Sequence, residues 1–229
     1  MTLQDLYREG IRKLTENEVP EAELNAWYLL QSCLSEEPFS YTRSRFFLEQ
    51  MEQAAPETIT SYMEKVSKRE EHIPLEYILG YTEFMGLTFL VWEGVLIPRQ
   101  DTEILVEMAL EVSTGKKVLD LCTGSGCIAI SLAVKGGYES VTATDLSEEA
   151  LKVAEKNAEA HHTKIAFYQG DLFGALPQEA AGTFDIITSN PPYIPTAVIA
   201  TLEPEVREHE PMMALDGTED GLLYYRRIA

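Results

Sequence analysis

The 229 residues predict an α/β protein, a doubly wound and mostly parallel sheet preceded by a small all-α bundle. Three observations predict it. From Lys116 onward, short apolar runs alternate with helical segments. Over the first 80 residues, apolar side chains recur instead at helical spacing. Between them, from Tyr81 to Pro98, the rhythm is that of strands broken by Gly86 and Gly94.

The helical part divides at its caps. Thr2 and Asp5 stand in capping-box spacing ahead of Leu3, Leu6, Tyr7, Ile11 and Leu14. Pro20 opens a second segment carrying Leu24, Trp27, Tyr28, Leu30 and Leu34. A third runs from Arg43 to Met51, and a fourth follows Pro56 with Ile59, Tyr62, Met63 and Val66, ending near Pro74. Residues 1–80 therefore form the bundle. Phe84, Leu87, Phe89, Val91, Val95 and Ile97 then predict a β-hairpin linker over 81–98. In 99–229, Asp101 or Thr102 caps a helix bearing Ile104, Leu105, Met108 and Val112. Strands follow at Val118–Leu121, Ser140–Asp145, Ile165–Tyr168 and Phe184–Ser189, with helices at Ile128–Val134 and Glu148–Ala160.

Composition excludes several classes. The chain carries 18 basic and 38 acidic residues, a formal charge of −20. Split at Gly80, both halves are acidic, at −7 and −13. A broad phosphate-gripping surface needs the opposite sign, so no direct nucleic-acid binding is expected. Cys33, Cys122 and Cys127 have no zinc or redox spacing, and an odd count suits a reducing compartment. No metal site is expected. The N-terminus shows no basic-then-apolar leader, and the longest apolar run, Cys127 to Val134, is too short for a bilayer. A cytoplasmic protein is expected.

Asp120-Leu121-Cys122-Thr123-Gly124-Ser125-Gly126 joins the first strand to its helix. Glycines there let the backbone approach a ligand, and the helix start supplies oriented N–H groups. Gly124 to Ala129 also fits the dinucleotide pattern, so an NAD-binding reading stays open. Asp145 ends the second strand about twenty residues on, where a carboxylate can accept from ribose hydroxyls. Asp171, after the third strand, can accept from an adenine amino group. Together they describe a nucleoside pocket.

The stretch "SNPPYIP", Ser189 to Pro195, decides which chemistry the pocket serves. Pro191 and Pro192 have no N–H for a ladder, so the strand stops at Asn190 and a stiff corner follows. Asn190 offers a side-chain oxygen and Pro191 a backbone carbonyl. Two acceptors suit a planar NH₂ with two hydrogens to donate, and Tyr193 can lie against its face. An amide nitrogen is a poor nucleophile because its lone pair is delocalised. Holding both N–H bonds favours pyramidalisation and aims that lone pair at an electrophile. Hydride transfer needs no such corner; a methyl sulfonium donor does.

Asn190-Pro191-Pro192-Tyr193 resembles the signature of S-adenosylmethionine-dependent methyltransferases acting on planar NH₂ nitrogens, which leaves DNA adenine, RNA guanine and protein glutamine open. Pro74 to Gly80, Phe84-Met85-Gly86-Leu87 and Gly94 to Glu103 are similar to the HemK/PrmC family, the protein-(glutamine-N5) methyltransferases of peptide chain release factors. Glu203-Pro204-Glu205-Val206, Ala214-Leu215-Asp216-Gly217 and Asp220-Gly221-Leu222 also resemble it. The resemblance implies a Rossmann-like class I methyltransferase domain, S-adenosyl-L-methionine as cofactor with S-adenosyl-L-homocysteine as product, and the glutamine of the Gly-Gly-Gln segment of class I release factors as acceptor. By position it implies donor contacts at Cys122, Thr123, Gly124, Ser125, Gly126, Asp145, Asp171, Leu172 and Asn190. It implies an amide seat on Asn190, Pro191, Pro192 and Tyr193, with Phe84 and Arg99 at the channel edge, a packing role for Phe84 being the alternative, and the N-terminal bundle helping to hold the release factor. Cys122 stands where many relatives carry glycine, and reads as an inert buried thiol. Gln100 stands where proline is frequent.

A methyltransferase of this class continues with three more strands beyond the fourth. The chain is therefore expected to be shortened after that strand, which becomes an edge although its composition suits pairing on both sides. A monomer is expected of a complete chain. Association through the exposed edge and little activity are expected here, or even an inactive binding module of the same fold; a cooperative monomer in light scattering would contradict this.

Overall fold

The computed structural model describes residues 1–35, 37–112, 115–180 and 182–229. The chain divides into two compact units, Met1–Leu79 and Gly80–Ala229.

The first unit is helical: α1 (Leu3–Glu16), α2 (Ala22–Leu34), α3 (Arg43–Glu49), α4 (Pro56–Glu70) and α5 (Leu75–Leu79). The capping box forms as the sequence predicts. Thr2 Oγ1 accepts from the Asp5 amide at 3.1 Å, and the Asp5 carboxylate accepts from the Thr2 amide at 3.0 Å. Leu6, Leu14, Leu29, Leu30, Tyr62 and Val66 are all 0% exposed and form the core. Arg69 is buried with them; its Nε donates to Asn25 Oδ1 at 2.7 Å and its Nη1 to the Ile73 carbonyl at 3.0 Å. A buried guanidinium is tolerable only when hydrogen-bonded in this way. The predicted fourth helix stops short of Pro74, because His72 turns left-handed at φ 59°. Pro74 instead accepts the first bond of α5, a helix the periodicity did not reveal.

In the second unit, β1 (Tyr81–Phe84) and β2 (Leu87–Leu90) pair as an antiparallel hairpin. The strand character predicted out to Pro98 ends at Leu90, and the rest is a loop. A 3₁₀ turn at Gln100–Thr102 leads into α6 (Glu103–Leu110). Neither predicted cap operates there, since Thr102 is already in helical conformation with no side-chain cap bond. The sheet consists of β3 (Lys117–Leu121), β4 (Ser140–Asp145), β5 (Ile165–Gln169) and β6 (Ile186–Ser189), all parallel, in the order β5-β4-β3-β6. The helices α7 (Cys127–Lys135) and α8 (Glu148–Ala160) connect the first three strands. Phe184 and Asp185 lie outside β6 because Asp185 pairs early, its carboxylate accepting from the Lys117 amide at 3.0 Å. Among the described residues β6 pairs only with β3, and Ile187 is 47% exposed.

Strand order reverses at β3. The chain builds β4 and β5 on one side of it and β6 on the other, so the loops after β3 and β6 diverge and leave a crevice at the carboxyl ends. Asn157 on α8 fixes one wall of it. This 0% exposed side chain accepts from the Leu90 amide at 2.7 Å and donates to the carbonyls of Leu90 at 3.0 Å and Ser125 at 2.9 Å. It ties the hairpin and the glycine loop to one helix.

Asn157→Ala leaves those backbone groups without partners, the Ser125 carbonyl in a buried position. The expected cost is about 3 kcal/mol in urea unfolding; a loss below about 1 kcal/mol would show that water replaces the amide.

Candidate active site

The loop after β3 folds as its composition requires. Gly126 adopts φ 81°, and a Cβ there would lie 3.3 Å from the Ala154 backbone and 2.9 Å from Ile130 Cδ1. Only glycine lets α7 start so close to α8. The Thr123 amide donates to the Thr144 carbonyl at 3.0 Å and the Gly126 amide to the Thr123 carbonyl at 2.9 Å. Gly126, the N-cap of α7, makes no side-chain cap bond, and the Ala129 amide in the first turn is taken by the buried Asp120 carboxyl. Cys122 adopts φ 57°, a glycine-favoured conformation at the position where the resemblance anticipates glycine. Burial, with the charges of Asp145 and Asp120, pushes its thiol up to about 12, and burial does the same to Cys127. Both are therefore protonated at neutral pH and poor nucleophiles, although Cys122, expected to be buried, is only half-buried and lines the cavity.

Asp145 closes the loop from β4. Its Oδ2 accepts from the Gly124 amide at 2.8 Å and its Oδ1 from the Ser147 amide at 2.9 Å. Ser147 itself caps α8 through the Ala150 amide at 3.2 Å, so the carboxylate is not the helix cap. The Leu146 amide also bonds this carboxylate, and its two oxygens still have lone pairs for ligand hydroxyls. Burial raises its pKa. Asp171 lines the same cavity, but its Oδ2 accepts from Arg227 Nη2 at 2.7 Å, leaving Oδ1 as the oxygen open to a ligand. Leu172 beside it is buried, with φ 50°.

The corner after β6 opens onto this cavity. Asn190 and Pro192 line it together with Thr123, Gly124, Ser125, Asp145 and Leu172. The Asn190 Nδ2 donates to Thr102 Oγ1 at 3.5 Å, which turns its Oδ1 away from that contact. Among the described residues neither Asn190 Oδ1 nor the Pro191 carbonyl takes a hydrogen bond. The acceptor pair is therefore present and uncommitted. A second layer holds it: the Ile194 amide donates to the Leu215 carbonyl at 3.0 Å and the Gly217 amide to the Ile194 carbonyl at 2.8 Å. A Cβ on Gly221 would lie 2.2 Å from the Tyr193 carbonyl oxygen, so that segment supports the corner by direct backbone contact. Pro191 is buried, and Tyr193 is 53% exposed; neither is in the cavity lining.

Arg99 lines the cavity and is ion-paired with Glu210, whose side chain is 2% exposed. Phe84 corrects an expectation. It is 1% exposed, packed edge-on to Phe89 at 6.1 Å in the core, and reaches no channel. Thr102 and Asp120 belong to the site without having been predicted. Thr102 had been read as a cap, and Asp120 lay hidden in an apolar strand run. Among the described residues no cluster suited to a metal ion occurs.

Asp120 is fully buried beneath the cavity. Burial pushes its carboxyl from an ordinary 3.8 up to about 7, the Asp145 charge adding to it and bonds from Thr123 and Thr188 opposing it. The thiols of Cys122 and Cys127 feel its charge in turn. The folded chain keeps this proton to about pH 7, whereas the unfolded chain loses it near 3.8. Fewer protons on the unfolded state mean that this group makes stability fall as pH rises through that window, then level off. Asp120→Asn does not titrate, so its stability relative to wild type should rise between about pH 4 and pH 7, by up to about 1.4 kcal/mol per pH unit. Urea unfolding across that range checks it, and a gap constant with pH would contradict the buried neutral acid.

Comparison with known proteins bears on the family. The PrmC N-terminal domain profile matches residues 5–80 and the Methyltransferase small domain profile residues 99–202. The release factor glutamine methyltransferase of Geobacter sulfurreducens is 42% identical over 216 residues, covering 94% of this chain and 73% of the relative. That of Moorella thermoacetica is 39% identical over 232 residues, covering 99% and 78%. That of Thermodesulfovibrio yellowstonii is 43% identical over 177 residues, covering 75% and 61%. Among the described residues no helix is long and apolar enough to cross a membrane. With relatives 39–42% identical and matched over most of the chain, and with the glycine loop, Asn190 and Pro192 on one cavity, this chain belongs to the release factor glutamine methyltransferase family.

Proposed function

We propose that the chain transfers the methyl group of S-adenosyl-L-methionine to the side-chain nitrogen of the glutamine in the Gly-Gly-Gln segment of class I peptide chain release factors. The observation that carries this reading is the Asn190 side-chain oxygen, free of any described partner, on the same cavity as the glycine loop and Asp145.

The residues suit the donor. Asp145 keeps lone pairs for the ribose hydroxyls, Asp171 Oδ1 and Leu172 form the end for the base, and Thr123 to Gly126 take the amino-acid end. The bound donor supplies a methyl group on a positively charged sulfur. Asn190 Oδ1 and the Pro191 carbonyl accept the two amide hydrogens of the glutamine, turn its lone pair toward the methyl, and stabilise the positive charge that develops on nitrogen. On this reading Tyr193, half exposed and next in the chain to the lining residue Pro192, closes over the amide plane when the acceptor enters. As the nitrogen–carbon bond forms and the carbon–sulfur bond breaks, the nitrogen becomes acidic. It gives one of its protons to water, leaving N5-methylglutamine and the neutral thioether, so no dedicated base is required. Arg99, paired with Glu210, borders the entrance. The helical unit 1–80 helps to hold the release factor. A cytoplasmic protein without nucleic-acid contacts suits this substrate, and the charge of −20 favours a protein acceptor over DNA or RNA.

Asn190→Ala should lower methyl transfer at least about 100-fold, because one of two charge-stabilising acceptors is lost. Affinity for S-adenosylhomocysteine should stay within about threefold, since the main donor contacts lie on the loops after β3 and β4. Tritium transfer to release factor, with DNA and RNA as parallel acceptors, reads the first, and calorimetry the second. Equal losses in both would break the division of labour; transfer to nucleic acid alone would overturn the substrate.

A further inference from the structure

We infer that Asp120 is a positioning residue for this transfer, holding Thr123 of the donor loop and Thr188 of the acceptor strand on its two carboxylate oxygens. The inference rests on the proposed function for its catalytic meaning, while the clamp itself is a matter of geometry. Thr123 Oγ1 donates to Asp120 Oδ2 at 2.6 Å, and Thr188 Oγ1 donates to Asp120 Oδ1 at 2.8 Å. Asp120 is 0% exposed and both threonines are 3% exposed. Asp120 and Thr188 are also register partners across the β3–β6 pair.

The placement explains an otherwise costly choice. An apolar side chain could fill this strand position without desolvating a carboxyl group, as Leu119 and Leu121 do on either side. The carboxyl does what a leucine cannot: it bonds at once to both structures that must face each other. Thr123 precedes Gly124, whose amide holds Asp145. Thr188 precedes Asn190 by two residues, at the end of the ladder just before β6 stops at Ser189. Thr188 does not line the cavity, so it can act only through what it holds in place. Methyl transfer along a line from sulfur to nitrogen is sensitive to such spacing, a displacement of about 1 Å being able to cost about 100-fold.

Thr188→Val keeps shape and loses the hydroxyl. It should lower kcat about tenfold with the donor KM within about threefold, and Thr188→Ser should restore at least about half of the activity. Asp120→Asn should lower kcat by a similar factor, and adding Thr188→Val to it should cost less than about threefold more. Wild-type turnover by Thr188→Val, no rescue by serine, or a double variant showing the product of both losses would overturn the clamp. If the wild-type chain methylates no release factor, the proposed function fails instead. The clamp is then decided by urea unfolding of Thr123→Val, Thr188→Val and their pair. Coupling of at least about fivefold in the unfolding constant supports it, and independent effects overturn it.

Discussion

Everything at the site depends on the parallel pairing of β3 with β6. Two segments distant in sequence, the loop after Leu121 and the corner after Ser189, leave adjacent strands at the same sheet edge because Leu121 and Ser189 are register partners. Ser189 Oγ donates to the Leu121 carbonyl at 2.9 Å at the point where the ladder ends, fixing the separation of the two exits. A one-residue slip would turn Thr188 to the opposite face and shift the exit that carries Asn190. The near-continuous burial of β3 is thus also what sets the chemistry.

Rigidity around that pairing comes from backbone contacts as much as from side chains. Asn157 binds the hairpin and the glycine loop to α8, and residues 215–217 pair with Ile194 immediately beyond the corner. Two prolines fix the dihedral angles between these anchors. What remains adaptable is the polar inventory: an asparagine oxygen, a proline carbonyl, an aspartate with lone pairs to spare. Catalysis of this type consists of holding a weak nucleophile correctly, and a stiff frame with uncommitted acceptors provides that.

Much of this was legible in the sequence because it was written in residues with strong backbone constraints. The paired prolines had to end a strand, Gly124 and Gly126 had to form a turn, and Asp145 had to stand at a strand end. Long-range partners left no such trace. Arg227 reaches Asp171 from 56 residues away, and Glu210 reaches Arg99 from 111. Phe84 was misplaced because an aromatic residue in a strand rhythm looks the same in a core as beside a channel. Asp120 escaped notice for the opposite reason: a run of Val118, Leu119 and Leu121 reads as burial, and a carboxyl within it passes for a strand end.

The central claim is spatial, and a crystal structure of this chain with S-adenosylhomocysteine and a Gly-Gly-Gln peptide tests it most directly. The account predicts the ribose on Asp145 and the sulfur facing the corner, with the glutamine nitrogen between Asn190 Oδ1 and the Pro191 carbonyl. A glutamine side chain seated elsewhere, with those two oxygens turned to the protein's own donors or to bulk water, would contradict it.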